Sequence, residues 1–366
     1  MSASHPLMPR GRRWLAVLIV AVLLAPSLGM LVSRGHDRSV MERRMLATLP
    51  PAPHAARDWT AYPGELDAWF GDHLAGREQL IFADLWLGGR AKLKPASAGS
   101  TAVLKGQGDW LLLQPGLLGA TGGQTDARAA RRYAGFVCAL AADMKARRIR
   151  FLFAPAPGPT EVYPEAVPDW VPKGPVSQPE LVLRAARACG VAPLDLRPAM
   201  LAAKGQGSLY QHHDSHWTNI GALVAFNGMA RALGQPWSLA PEAMHWRPMK
   251  ATESDLVRLS GLVDLPAEIL PQPPRGPDSR PLTGAVPGLS HGIYPPAFLQ
   301  PPQPGPTVLI IGDSYTSDFM PQYFRKAGVR LAWIHQADCR FDRRIFERMH
   351  ADAVVLMPAD RQEACR

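Results

Sequence analysis

From residue 307 onward the chain alternates too regularly for anything but a layered α/β arrangement. Apolar runs at 307–311, 330–334 and 353–357 are separated by helix-like segments at 318–327 and 342–349. That order predicts a parallel sheet with helices on its faces. In the first run Val308, Leu309, Ile310 and Ile311 have no polar residue between them, the pattern of a strand buried on both sides. Gly312-Asp313-Ser314 follows, and Ser317, Asp318 and the spacing of Phe319, Tyr323 and Phe324 read as the opening of a helix. Ser314 is thereby placed beyond the carboxyl end of a strand, where open α/β sheets carry their chemistry. The N–H groups and positive dipole at the amino end of the next helix would favour an oxyanion formed there.

A serine hydroxyl needs a base, and the base needs a group to orient it. Tyr210-Gln211-His212-His213-Asp214-Ser215-His216-Trp217 lies about a hundred residues earlier. There His216 could take the serine proton, while Asp214 could fix the imidazole tautomer and stabilise the imidazolium. Each residue alone has a plainer role: Ser314 as a helix N-cap, Asp214 in an Asx turn, His216 as a satisfied core histidine. His212, Asp214 and His216 also share one face of an extended segment, which is how a metal site could be assembled, although no further ligand is indicated. Asp313 is expected to hold the turn by hydrogen bonds, and Tyr315 and Trp217 to wall the pocket.

In this order and with these neighbours, Asp214-Ser215-His216-Trp217 well before Gly312-Asp313-Ser314 resembles the AlgJ/AlgX family of polysaccharide O-acetyltransferase proteins. Similar landmarks are Glu42-Arg43-Arg44, Phe70-Gly71-Asp72-His73 with Arg77, Gly108-Asp109-Trp110, Val162-Tyr163-Pro164-Glu165 and Asp352-Ala353-Val354-Val355-Leu356. The resemblance spans roughly residues 42 to 361. Two positions depart from the family pattern: Pro157-Gly158-Pro159-Thr160 stands where a Lys is frequent, and Ser254-Asp255-Leu256 replaces Gly-Asp-Leu. The resemblance implies an SGNH-hydrolase-like parallel sheet flanked by helices, and Ser314, His216 and Asp214 as catalytic residues with an acetyl-serine intermediate.

Among the 366 residues, 47% are hydrophobic, enough for a sizeable core, and the net charge is +9. Residues 1–46 hold seven Arg and two acids, so most of the excess sits at the amino end. No aromatic-interleaved basic run appears, which excludes a nucleic-acid groove. Cys138, Cys189, Cys339 and Cys365 have no metal-ligand spacing. Cys339 and Cys365 could pair and tie down the C-terminus in an oxidising compartment, and Cys138 reads equally well as a small buried hydrophobe. Sequence does not choose among the connectivities.

Arginines on both sides of the apolar run at 14–32 leave its orientation open, and the resemblance implies that residues 1–13 are a cytoplasmic tail with the rest in the periplasm. Trp14 to Val32 is a charge-free run of nineteen residues after Arg10-Gly11-Arg12-Arg13, read as a transmembrane signal anchor of near-spanning length. Residues 33–62 read as a periplasmic tether and 63–366 as the SGNH-hydrolase-like acetyltransferase domain. Within that domain, Gly64 to about Leu93 suggests one or two amphipathic helices, on which Asp72, His73 and Arg77 serve as surface or capping groups. Residues 103–114 read as a hairpin with Trp110 in the core. Helices are expected at 125–147, 178–189 and 219–233, and strands at 149–154 and 191–196. Residues 266–306 contain thirteen prolines and read as a long surface excursion over the core near the site.

Together with the resemblance these features lead to an inner-membrane, single-pass protein with its catalytic domain in the periplasm. Its expected activity is acetylation of an alginate-like or cellulose-like exopolysaccharide. No acetyl-CoA site or other cofactor or metal site is recognisable. The resemblance implies as partners a membrane-bound O-acyltransferase as acetyl donor, other polysaccharide acetylation proteins and the polysaccharide itself. It is closer to the AlgJ architecture, since Arg366 follows the last strand without the carbohydrate-binding module of AlgX-type proteins. A carbohydrate acetylesterase and a non-catalytic scaffold of an export complex are the alternatives.

Overall fold

The computed structural model describes residues 44–53, 62–77, 103–240, 244–260, 265–272, 305–336 and 339–363, together with shorter stretches and single positions between and around them. The expected anchor at 14–32 lies almost entirely outside the described residues; among those described, no helix is long and apolar enough to cross a membrane. The chain divides into two compact units, Met1–Gly89 and Arg90–Arg366. Helix α1 (Tyr62–His73), grouped with the larger domain on sequence, therefore falls in the first unit. There Asp72 accepts a hydrogen bond from the Ala47 N–H at 2.8 Å and lies 3.9 Å from Arg77, and His73 stacks on Trp69. These contacts are of the kind a helix surface would use.

The second unit is built on a six-stranded sheet. In chain order its strands are β1 (Val103–Lys105), β2 (Leu111–Leu113), β3 (Arg150–Phe153), β4 (His245–Met249), β5 (Glu268–Gln272), β6 (Gly284–Ala285), β7 (Ala297–Leu299), β8 (Thr307–Gly312), β9 (Arg330–His335) and β10 (Ala353–Met357). The central sheet runs β3-β10-β8-β9-β7-β6. Its first four strands are parallel, and β7 and β6 are added antiparallel at one edge. The remaining strands form two separate hairpins, β1–β2 and β4–β5.

Alternation along β8 explains the layers. Val308 and Ile310 face one core, shared with Phe226 and Met229 of a helix α6 (Asn219–Ala232), while Leu309 and Ile311 face the other. That second core contains Tyr133, Val137, Leu140 and Met144 of α3 (Ala127–Ala146) and Val182 and Leu183 of α4 (Gln178–Ala188). With both faces covered, each aliphatic side chain of β8 contributes about 1.5–3 kcal/mol by burial. Further helices among the described residues include α2 (Gln114–Ala120), α5 (Arg197–Ala203), α7 (Asp255–Ser260), α8 (Ser314–Phe319), α9 (Pro321–Lys326) and α10 (Ile345–Met349), and a single helical turn spans Pro159–Val162. Asp126 caps α3 by accepting from the N–H groups of Arg128 and Ala129.

Four expectations need correction. Residues 191–196 form no strand: Leu194 N–H donates once to Phe153 O, and Pro193 beside it has no N–H with which to continue a ladder. The helix after β8 begins at Ser314 rather than at 317–318, because Asp313 already caps it, and Pro321 starts a second helix. The proline-rich stretch contributes β5, β6 and β7, two of them at the sheet edge, where proline neighbours are tolerated. Much of 273–304 lies outside the described residues. All four cysteines pair, Cys138 with Cys189 and Cys339 with Cys365, so Cys138 is not a free buried thiol. The first bridge ties α3 to the end of α4.

Candidate active site

At the end of β8 the backbone must pass between β10 and the first turn of α8. A Cβ on Gly312 would meet the Thr316 hydroxyl and the Met357 carbonyl oxygen, so only glycine fits. Asp313 then spends its whole carboxylate on the turn: Oδ1 accepts from Tyr315 N–H at 3.0 Å and Oδ2 from Ala359 N–H at 2.7 Å. The second bond stitches the turn that carries Ser314 to the chain leaving β10. Ser314 is the first residue of α8, half-buried, with its N–H in the turn where helical donors have no intrahelical partner.

The Asp214 loop is a pinched hairpin. Tyr210 bridges to Trp217, Gln211 N–H donates to His216 O at 3.1 Å, and Thr218 caps α6. Three contacts anchor it above the sheet: Tyr210 Oη donates to Pro157 O at 2.6 Å, Trp217 Nε1 donates to Tyr315 O at 3.0 Å, and Tyr315 Oη donates to Ser215 O at 2.5 Å. Trp217 and Tyr315 are fully buried and so serve as the wall between loop and turn. His216 is thereby delivered to the serine across 98 residues of sequence, with Ser314 Oγ donating to Nε2 at 2.7 Å. On the other side of the ring Nδ1–H donates to Asp214 Oδ1 at 2.6 Å. Asp214 is almost completely buried. Burial alone would raise its pKa, but the hydrogen bond and charge of His216 and the N–H of Asp255 outweigh it and hold the carboxyl well below the usual range.

Three further residues complete the site, and sequence reasoning gave them no role. Asp255 N–H donates to Asp214 Oδ2 at 2.7 Å, so both oxygens of that carboxylate are engaged. The Asp255 carboxylate accepts from Ser215 N–H at 2.7 Å and Ser215 Oγ at 2.6 Å, and its Oδ2 lies 3.7 Å from His216 Nδ1. Arg361, beyond β10, donates to Ser215 O, Ser215 Oγ and Tyr315 Oη at 3.3–3.4 Å and stacks over the Tyr315 ring. It lines a small cavity with Thr160 and Asp360. A cation thus stands beside residues 157–160, which carry none themselves. The Ser254-Asp255-Leu256 signal was visible in the sequence; nothing there singled out Arg361.

His212 does not join this group. Its ring stacks on Trp110 at 4.1 Å between centroids and its Nδ1 lies 2.8 Å from Asp109 Oδ1, so the trio His212, Asp214 and His216 is not assembled. Trp110 is buried, as expected of a core residue.

Residues 103–327 match the family described as SGNH hydrolase-like domain, acetyltransferase AlgX. The chain belongs to that family. A relative in Pseudomonas syringae pv. tomato, named probable alginate O-acetylase AlgJ, is 30% identical over 133 residues, covering 34% of this chain and 33% of the relative. The chain therefore aligns with about a third of that protein's length. Bacillus cereus PatB1, solved also with a sulfonyl adduct, shares the fold at 13% identity and a TM-score of 0.51, covering 72% of this chain and 98% of PatB1. The O-acetyltransferase domain of Pseudomonas putida AlgJ is 18% identical with a TM-score of 0.46, covering 72% of this chain and 92% of that domain.

The family span contains Asp214, His216, Asp255 and Ser314 and stops before Arg361. Glu161, Asp360 and Glu363 form a buried acidic cluster. Burial first, then the neighbouring Asp360 carboxylate, push Glu161 up to about 8, with Arg197 at 3.5 Å pulling the other way. Burial also raises Asp360 and Glu363. A raised folded-state pKa means that the neutral acid is favoured in the fold. The associated stability is present below the ordinary carboxyl value of 4.5 and lost as pH rises through about 8. The melting temperature should therefore decline across that window, and Glu161→Gln should flatten the decline in thermal unfolding followed at several pH values. A Glu161→Gln profile as steep as that of the parent would reject this reading.

Proposed function

We propose that the chain is an O-acetyltransferase that esterifies hydroxyls of an alginate-like or cellulose-like exopolysaccharide and carries the acetyl group on Ser314. The observation that carries the reading is the continuous hydrogen-bond path from Ser314 Oγ through His216 to Asp214, in a chain of an acetyltransferase family. Ser314 Oγ attacks the acetyl carbonyl while its proton passes to His216 Nε2, and Asp214 stabilises the resulting imidazolium. The Ser314 N–H is placed to donate to the oxyanion. When the tetrahedral intermediate collapses, the leaving oxygen departs with the proton from His216, and acetyl-Ser314 remains. An acceptor hydroxyl then gives its proton to His216, attacks the acetyl carbon and restores Ser314. The acetyl donor is a membrane-bound O-acyltransferase partner, with other acetylation proteins completing the assembly.

The two disulfides support a periplasmic setting, because such bonds persist in oxidising compartments. The charge-free run at 14–32 supports a membrane anchor. Reporter fusions after residue 60 are expected to be active in the periplasm and to stay with membranes after a high-salt wash; a mature amino terminus near residue 30 would mean a cleaved signal instead.

Transferase and esterase share the acyl-enzyme and differ in what attacks it. Water stands at roughly 55 M, so transfer requires a site that orients another acceptor or excludes water. Given an activated acetyl ester, the protein is expected to show an acetyl adduct on Ser314 by mass spectrometry that decays slowly in buffer and faster with a polysaccharide acceptor. Rapid release of acetate with no lasting adduct and no acceptor effect would replace the transferase with an esterase.

A further inference from the structure

The geometry points to Asp255 as a positioning residue that acts as a second carboxylate on His216, holding Asp214 in register through its N–H and stabilising the imidazolium through its own charge. The inference rests on the reaction proposed above for its functional meaning, and on the coordinates alone for its electrostatics.

The groups facing the imidazole are few. From its own loop comes Asp214, with Oδ1 2.6 Å from Nδ1; from α7 comes Asp255, with Oδ2 3.7 Å from the same nitrogen. From α8 come Ser314 at Nε2, the Tyr315 ring at 5.2 Å and the Phe319 ring at 5.8 Å. The nearest cation in this network is Arg361, which reaches the site only through Ser215 and Tyr315. Asp313 is committed to two backbone N–H groups. One ring nitrogen thus confronts two buried carboxylates.

Asp255 is held in place there by its own hydrogen bonds. Its carboxylate receives two short hydrogen bonds from Ser215, and the same Ser215 Oγ accepts from Arg361 at 3.3 Å. A donor chain therefore runs from a guanidinium through a hydroxyl to the carboxylate. Hydrogen bonds to an ionised acceptor are stronger than neutral ones, and in a dry site each favours the charged form. Asp214 is the direct acceptor for Nδ1–H, but a carboxylate at 3.7 Å in a low-dielectric environment still contributes strongly to the energy of a cation. When His216 takes the serine proton, the positive charge is met by both acids. The Asp255 backbone bond to Asp214 Oδ2 also prevents that carboxylate from rotating away from the ring. One residue thus supplies orientation through its main chain and charge through its side chain.

The side-chain part can be tested without touching the backbone bond. In Asp255→Asn the volume is kept and one negative charge is removed, so the His216 titration, read by NMR on histidine-labelled protein without substrate, is expected to fall by about one to three pH units. The acidic limb of the rate profile with an activated acetyl ester should move to lower pH in step, with kcat reduced and KM unchanged. Ser215→Ala supplies the contrast: it removes a donor, keeps the charge and frees Asp255 Oδ2, so the His216 titration should stay at or above the parent value. A merely structural Asp255 would lower activity in both variants without moving the titration. An unshifted His216 in a folded Asp255→Asn protein, or an equal fall in Ser215→Ala, would overturn the inference. The NMR arm needs no acyl transfer: a shifted His216 in a protein that never acetylates Ser314 would reject the proposed reaction and leave this inference standing.

Discussion

Ser314→Ala and His216→Ala should each lower acetyl-adduct formation and acetyl transfer by roughly 10⁴-fold or more, with melting temperatures close to the parent's. The serine contributes the bond-forming oxygen, and the histidine is the group hydrogen-bonded to it, at 2.7 Å. Removing either leaves a site that can bind but not transfer. The two act on one step, so the double variant should be hardly slower than either single one. Asp214→Ala is expected to fall short of the same loss, because Asp255 Oδ2 remains 3.7 Å from Nδ1 and can take over part of its electrostatic role. Adduct formation measured by mass spectrometry and transfer measured with a soluble acceptor separate the half-reactions. A His216→Ala protein that still acylates Ser314 at the parent rate would show that another group is the base.

Gly312→Ala should cost both stability and activity, for a steric rather than a chemical reason. The added Cβ would meet the Thr316 hydroxyl and lie 2.9 Å from the Met357 carbonyl oxygen, which belongs to the backbone of β10. Thr316 cannot simply step aside: its hydroxyl donates to Asp313 O and accepts from Trp333 Nε1. Overpacking of this kind costs about 1–3 kcal/mol, and here relief requires shifting the turn that carries the nucleophile. Activity should therefore be lost together with stability. Gly135→Ala is the control. It lies within α3 with nothing within 4 Å of its added Cβ, so it should gain about 0.4–1 kcal/mol by restricting the unfolded chain. Denaturant unfolding of the two variants decides the point, and equal midpoints would mean that the sheet has room at Gly312.

The layered architecture was readable because its cause is local. Alternating apolar runs and helical spacing between 307 and 357 state which segments pair and which cover them, and β8, β9 and β10 form close to those bounds. The segment at 191–196 has similar local character but meets the sheet through only one backbone bond, a fact of tertiary placement that periodicity does not carry. The start of α8 was misplaced because Asp313 looked like part of the turn and is also the cap. Within the site, Asp214, His216 and Ser314 announced themselves by residue type and order. Asp255 was noticed but had no partner until the loop at 214–216 was folded beside α7. Arg361 carried no signal, since an arginine near three acids in sequence reads as ordinary surface, and only the return of the chain from β10 brings it to Ser215. The disulfide partners of Cys138 and Cys339 likewise depended on which helices and loops lie side by side.

The pairing of β3 has a further implication for when this molecule can exist as a functional unit. Its parallel neighbour in the sheet is β10, two hundred residues downstream, and through β10 it is joined to the strand that bears the nucleophile. As the chain is made from its amino end, the histidine loop is complete long before its serine, and β3 lies without its sheet partner until β10 has been synthesised. Non-local pairing of this kind makes folding slow and leaves intermediates prone to self-association. The same arrangement ties the turn that presents Ser314 to the chain beyond β10, because Ala359 donates to Asp313. Synthesis as far as Ala359 and closure of the turn at Ser314 are in this fold a single event.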